Sequence, residues 1–280
     1  MKRITLLMAT LLVAGAGFAQ TDSTTQQTDT IKVGKFIIIK KNKGTTNQPN
    51  NERTTTIEID KRQRKPTNLS TNWWIFDLGF ANLRDETVYN SPEANSYLNA
   101  PTSKPFTKDD LKLRAGKTSN VNIWIFMQRL NVTKGVLNLK YGLGLEMYNF
   151  RYDNNISYHK NPAYIFRDSV SFSKNKLYAG YLTVPFMVNL NTNPGRKKGL
   201  SLSAGVSAGY LVGSRNKQIS DERGKVKTKG NFDLEQFRLA YIGELGLGPV
   251  RLFGSYSINP LHEKGLKQYP YSLGIRFSNW

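Results

Sequence analysis

The stretch that decides the fold is Leu137-Asn138-Leu139-Lys140-Tyr141-Gly142-Leu143-Gly144-Leu145-Glu146-Met147. Leu137, Leu139, Tyr141, Leu143, Leu145 and Met147 take every second position, and Asn138, Lys140, Gly142, Gly144 and Glu146 take the rest. Successive side chains of a strand point to opposite faces, whereas a helix, with a period of about 3.6, would not segregate these two sets. The stretch therefore predicts a strand with one apolar and one polar face. A phosphate loop is the other reading of its glycines, but no helix follows them.

The same alternation recurs on both sides. Residues 200–212 set Leu200, Leu202, Ala204, Val206, Ala208, Tyr210 and Val212 against Ser201, Ser203, Gly205, Ser207 and Gly209. In 237–247, Phe237, Leu239, Tyr241, Leu245 and Leu247 oppose Arg238, Ala240, Glu244 and Gly246. Trp74, Phe76, Leu78 and Phe80 oppose Asp77, Gly79 and Ala81. Weaker members are 120–132, 177–190, 251–261 and 269–277. The first of these is apolar on both faces and takes no side. Pro185 removes a ladder donor inside 177–190, for which a bulge is the expected accommodation.

These segments make eight strands joined by connections that alternate in length. Thr133-Lys134-Gly135, the turn-rich 191–199 and Gly248-Pro249 are short, while 84–119, 153–176 and 214–236 are long and polar and 260–268 is shorter than these. Alternating short turns and long loops belong to closed membrane barrels; a soluble β-sandwich, the alternative for such strands, has no reason for them. The fold class expected is all-β: an eight-stranded antiparallel transmembrane barrel with an extended N-terminal arm. Trp73, Trp74, Tyr148, Phe150, Tyr178, Tyr210, Tyr269 and Tyr271, near strand ends, suit interfacial girdles. With the short turns inside, the arm and the C-terminus fall in the periplasm. Tyr271, Leu273, Ile275 and Phe277 alternate correctly in the last strand, which leaves the terminal Trp280 out of phase.

The front of the chain reads as an address. Met1-Lys2-Arg3 precedes an apolar run ending at Gly17-Phe18-Ala19, which predicts a signal peptide over 1–19 cleaved before Gln20; a retained anchor helix is the alternative. Residues 20–70 are polar and basic, an arm expected to be largely disordered when free. Two apolar islands interrupt it, Phe36-Ile37-Ile38-Ile39 and Ile57-Glu58-Ile59, and basic clusters follow each. Their β-branched residues suit strand addition to a partner's sheet edge, with Lys40, Lys41 and Lys43 as gatekeepers against aggregation; a plain spacer is the alternative. The barrel is expected over 71–280. With no Cys in 280 residues, neither a lipid anchor on cysteine nor a disulfide framework is available.

Chemistry is thinly represented. His159 and His262 fall in different loops, and Ser157 and Asp153 near His159 are the residues from which a triad could be drawn. Such residues occur by chance in polar loops, so no catalytic residue, metal site or cofactor is expected. The inward charges say more. Asp77, Lys140, Glu146, Arg238, Glu244 and Arg276 all fall on polar faces, and an eight-stranded barrel is only wide enough to be filled by side chains. They are expected to pair as an ionic network that plugs the lumen, because an unpaired buried charge is costly.

The formal charge of +20 suits anionic lipid or phosphate-rich polysaccharide, and export makes nucleic acid an unsuitable partner. Lys104, Lys108, Lys112, Arg114 and Lys117 in the first long loop, and Arg215, Lys217, Arg223, Lys225, Lys227 and Lys229 in the third, suit lipopolysaccharide phosphates.

Five features belong together: the Gly-Phe-Ala-Gln signal end, Asp29-Thr30-Ile31-Lys32, Trp73-Trp74-Ile75-Phe76-Asp77-Leu78-Gly79-Phe80, Tyr181-Leu182-Thr183-Val184-Pro185-Phe186 and Leu273-Gly274-Ile275-Arg276-Phe277. On these the chain resembles the PorT-like group of outer-membrane β-barrel proteins. The resemblance is one of pattern. It covers about 71–280 and implies an outer-membrane barrel but no single activity. The expected function is a non-enzymatic scaffold or accessory subunit of a secretion, gliding or outer-membrane assembly complex, docking an envelope protein through the arm. A narrow channel or small-solute transporter is the alternative.

Overall fold

The computed structural model describes residues 68–101, 103–192, 199–247 and 250–278, and before them the backbone of three short strands. These are β1 (Thr30–Val33), β2 (Phe36–Ile39) and β3 (Ile57–Glu58). The signal segment, Ile59, the turns at 193–198 and 248–249, and Trp280 lie outside the described residues. The chain divides into two compact units, Met1–Lys65 and Pro66–Trp280.

In the first unit the strands form one antiparallel sheet in the order β1-β2-β3, with Thr30 opposite Ile39 and Ile38 opposite Ile57. The two islands are paired with each other at Ile37–Glu58 and Ile38–Ile57, and Phe36–Ile39 is the central strand. Short β-prone segments joined in one chain satisfy their backbone groups locally before any partner arrives.

The second unit is a closed barrel with a folded cap. Its elements are β4 (Leu69–Asp85), helix α1 (Pro92–Asn95), β5 (Leu98–Asn99), β6 (Ser119–Thr133) and β7 (Leu137–Tyr152). There follow β8 (Ile156–Lys160), β9 (Ala163–Arg167), β10 (Lys174–Asn191), β11 (Leu200–Ser220) and β12 (Gly224–Lys229). The last three are β13 (Phe237–Leu247), β14 (Val250–Ser257) and β15 (Gln268–Phe277). Eight strands, β4-β6-β7-β10-β11-β13-β14-β15, form a ring of antiparallel neighbours closed by β15 against β4. Closure leaves the eight-stranded ring without a free edge, which apolar surroundings would not tolerate. The turn from β6 to β7 shows how the sequence makes a tight hairpin. Lys134 and Gly135 take positive φ, 44° and 76°, and the Val136 amide donates to the Thr133 carbonyl at 2.9 Å. Two left-handed central residues match the twist of the flanking strands.

On β7 the alternation runs unbroken: Asn138, Lys140, Gly142, Gly144, Glu146, Tyr148, Phe150 and Tyr152 are buried, and the residues between them are not. The outer wall carries Phe76, Leu78, Phe80, Val184, Phe186, Leu202, Leu239, Leu252 and Leu273 in exposed positions. Large apolar residues so displayed belong to a surface that meets lipid. Trp73, Trp74, Tyr210 and Tyr271 are exposed on that wall as girdle residues should be. Tyr148 and Phe150 are not girdle residues: both are buried inside.

Three irregularities correct the strand readings. β6 has a register shift between Trp124 and Phe126, so Asn120, Asn122 and Trp124 point inward and, after Ile125, so does Met127. That extra residue swaps faces mid-strand, which is why the segment looks apolar on both sides. Opposite it, Trp74 takes φ 56°, and Trp73 and Trp74 are both exposed. Pro185 needs no bulge; the register to β7 is the same on either side of it, and the shift in β10 lies between Gly180 and Tyr181.

Candidate functional site: the lumen and its cap

The inward faces of five strands meet in an ionic cluster. Arg276 on β15 grips Asp77 on the adjoining β4 with Nε and Nη2, both at 2.8 Å. Its Nη1 donates to Glu244 Oε2 at 2.7 Å. Glu244 Oε1 also accepts from Lys140 Nζ and Arg251 Nη1, each at 2.7 Å. Asp77 further accepts from Trp124 Nε1 at 2.7 Å and Asn122 Nδ2 at 3.2 Å. A second pair lies beside the first: Arg238 Nη1 donates to Glu146 Oε2 at 2.6 Å and Nε to Ser257 Oγ at 2.8 Å. All seven charged residues are buried.

Of the six residues singled out from sequence, the structure joins Asp77, Arg276, Glu244 and Lys140 in one chain, and Glu146 with Arg238 in a separate pair. Arg251 was missed. A signal for it existed, because pairing the strand after Gly248-Pro249 with the one before it sets Arg251 opposite Gly246, already on the polar face. Three carboxylates thus meet four cations, each carboxylate in contact with at least one guanidinium. Fixed forks of this kind suit bidentate carboxylate pairing and give geometry as well as charge balance.

Above this cluster the long connections fold inward instead of standing in solvent. Tyr97, Leu98, Phe106, Leu111, Ile156, Tyr158, Ile165, Phe232, Leu234, Leu261 and Leu266 form one buried core with Tyr148, Phe150, Tyr152, Leu177 and Tyr181 of the barrel. A small sheet, β5-β9-β8, frames it. Arg167 at the end of β9 fastens the first long connection to the second. Its Nε and Nη2 reach Asp110 at 2.8 and 2.9 Å, and Nη1 and Nη2 reach the carbonyls of Lys104 and Pro105 at 2.7 Å. The Arg167 hydrogen bonds hold the Asp110 carboxyl down at about 2.

The residues from which a triad could be drawn do not assemble one. Ser157 Oγ donates to Asp168 at 2.6 Å, Asp153 pairs with Arg114 at 2.6 Å, and His159 Nδ1 lies 2.8 Å from the Pro162 carbonyl. Among the described residues no group of three or more His, Cys, Asp or Glu is placed to hold a metal ion.

His262 is buried in the cap, stacked 6.3 Å from Tyr158 at an interplanar angle of 8°. Neither ring nitrogen has a hydrogen-bond partner among the described residues. Burial holds its pKa down to about 3. An unfolded cap would bind a proton on this ring below its ordinary value of about 6.5, while the folded cap would not do so until about 3. Cap stability should therefore be unaffected above about pH 6.5 and fall below it, by at most about 1.4 kcal/mol per unit. Amide exchange of the cap, compared between native protein and His262→Phe at pH 7 and pH 4.5, reads this. The native cap should open more at pH 4.5 and the variant should not; equal acid opening in both would refute it.

No curated protein matches the chain. Among solved structures it is similar to Ail, the attachment invasion locus protein of Yersinia pestis, crystallised in complex with the heparin analogue sucrose octasulfate. The match has 11% identity and a TM-score of 0.32, over 74% of this chain and 98% of that one. The family described as outer membrane protein beta-barrel domain matches residues 88–262, more than half of the chain. A ring of eight antiparallel strands with a lipid-type outer wall and that match agree, and the chain belongs to the outer membrane protein β-barrel domain family.

Proposed function

We propose that this outer-membrane barrel is a non-enzymatic scaffold: a plugged cylinder that presents a folded cap outside and a basic arm in the periplasm. The observation that carries the reading is the lumen, where the Asp77–Arg276–Glu244–Lys140 chain lies across the barrel interior beneath an aromatic cap. A narrow channel would need a water path through the space these side chains occupy. The arm, preceded by a cleaved signal peptide, is the partner-docking element, and the work is that of an accessory subunit in a secretion, gliding or assembly complex. Because Phe36–Ile39 is central in the arm's sheet, a partner strand would add at β1 or β3. Lipopolysaccharide surrounds the cap end.

Membrane fractionation with and without residues 21–66 tests this. Both forms should reach the outer membrane and migrate faster on gels unless boiled. The deletion should lose any periplasmic protein that co-purifies with the full chain. Retention of the same partners by the truncated protein would make the arm a spacer.

A further inference from the structure

The positive charge of the third long connection is not spread over a mobile loop. β11 runs on to Ser220, and β12 folds back on it as an added strand outside the ring. Register then lines up cations across four strands. Arg151 of β7 is opposite Lys176 of β10, Lys176 opposite Lys217 of β11, and Lys217 opposite Lys227 of β12. One step along, Arg215 is opposite Lys229, and flanking them Lys174 and Lys225 both face Ile219. Directly paired residues share a face, and this is the outer one, because Tyr152, Asn175, Leu177, Asn216 and Gln218 between them are buried. Adjacent strands lie about 4.8 Å apart, so the four-cation row spans about 15 Å. Like charges set directly opposite one another destabilise a sheet, and among the described residues none of these eight cations is in an ion pair with a carboxylate. The hairpin's own acids, Asp221 and Glu222, are in its turn.

The rows also have a defined height. Tyr178 is beside them, opposite Arg215, whose guanidinium lies 4.5 Å over its ring. Further along the same strand the wall is apolar, with Leu182, Val184, Phe186 and Val188 exposed. An aromatic girdle marks the membrane–water boundary. The cations therefore begin where lipid headgroups are. We propose that the β7-β10-β11-β12 face binds the phosphate groups of anionic outer-leaflet lipid headgroups, with the row Arg151–Lys176–Lys217–Lys227 as its centre. Such phosphates would relieve the repulsion within the rows and supply several acceptors at one level. The inference rests on the outer-membrane reading above.

Purified full-length protein in detergent, scored for bound lipid by native mass spectrometry, tests it. The probes are diphosphoryl lipid A, the same lipid without its phosphates, and soluble inositol hexakisphosphate. Diphosphoryl lipid A should bind, and both other probes should bind at least about tenfold more weakly. Lys176→Gln/Lys217→Gln/Lys227→Gln should weaken lipid A by about a hundredfold, from roughly fivefold per cation removed near an anionic surface. Lys225→Gln/Lys227→Gln/Lys229→Gln, confined to the strand outside the ring, covers the case in which the first variant fails to fold. Undiminished binding by a folded variant, or lipid binding that ignores the phosphates, overturns the proposal. Equal binding of inositol hexakisphosphate also overturns it, assigning the face to soluble polyanions. Heat-modifiable migration of the same samples reports separately on the barrel, so a failed barrel and a failed binding face are distinguished.

Discussion

Glu244→Gln should cost the barrel about 3–5 kcal/mol, measured as denaturant unfolding of protein folded into phospholipid vesicles. Glu244 takes Lys140, Arg251 and Arg276 at once, each at 2.7 Å. The amide keeps the shape and one acceptor oxygen but removes the countercharge, leaving cations buried in the lumen. Desolvation of those cations is not reduced by the change, so the penalty is that of stranding charge. Removing Lys140 as well, as Lys140→Met, should return part of the loss, since one stranded cation goes with it. A double-mutant cycle isolates that coupling. A single variant within about 1 kcal/mol of the native protein would contradict the network.

The second large effect belongs to the wall. Leu145 lies opposite Ile123 and Leu182 in the middle of the outward face of β7. Leu145→Arg should cost about 2–4 kcal/mol, the value for a basic residue at mid-membrane on a lipid-facing strand. Inward positions behave differently and not all alike. Ser207 is buried with its Oγ lacking a hydrogen-bond partner among the described residues, so Ser207→Ala should be neutral or slightly stabilising. Gly144 also faces inward, yet a Cβ there would come within 2.6 Å of the Ile123 carbonyl oxygen and of Trp124 Cε3. Gly144→Ser is therefore expected to cost about 1–3 kcal/mol from overpacking, although alternation alone marks the position as permissive. Equal unfolding costs for Leu145→Arg and Ser207→Ala would refute the assignment of faces.

What could be read from the sequence follows one rule: period two is legible wherever a strand has lipid on one side and a polar lumen on the other. Leu137 to Met147 satisfies it throughout, and its inward set is the inward set of β7. The rule fails where the geometry breaks it. Ile125 shifts β6 by one residue opposite the left-handed Trp74, and the side chains from there to Asn131 change face. Tyr148 and Phe150 continue the inward phase of β7 but enter the cap, where the interior is aromatic. Their type suggested a girdle; their phase was the better guide. The cap was invisible because Tyr97, Phe106, Tyr158, Phe232 and Leu261 come from four separate connections with no common period. Local spacing does not encode contacts of that separation. The ionic cluster was mostly legible because Asp77, Lys140, Glu244 and Arg276 break apolar strands at lumen positions, but which acid meets which base depends on barrel register.

Planar-bilayer recording on the refolded full-length protein tests the plugged scaffold most directly. The native protein should give no stable conductance steps in molar salt. Glu244→Gln should give none either, because the substituted side chain still fills its place between Lys140, Arg251 and Arg276. Stable, reproducible channel openings from the native protein would contradict it.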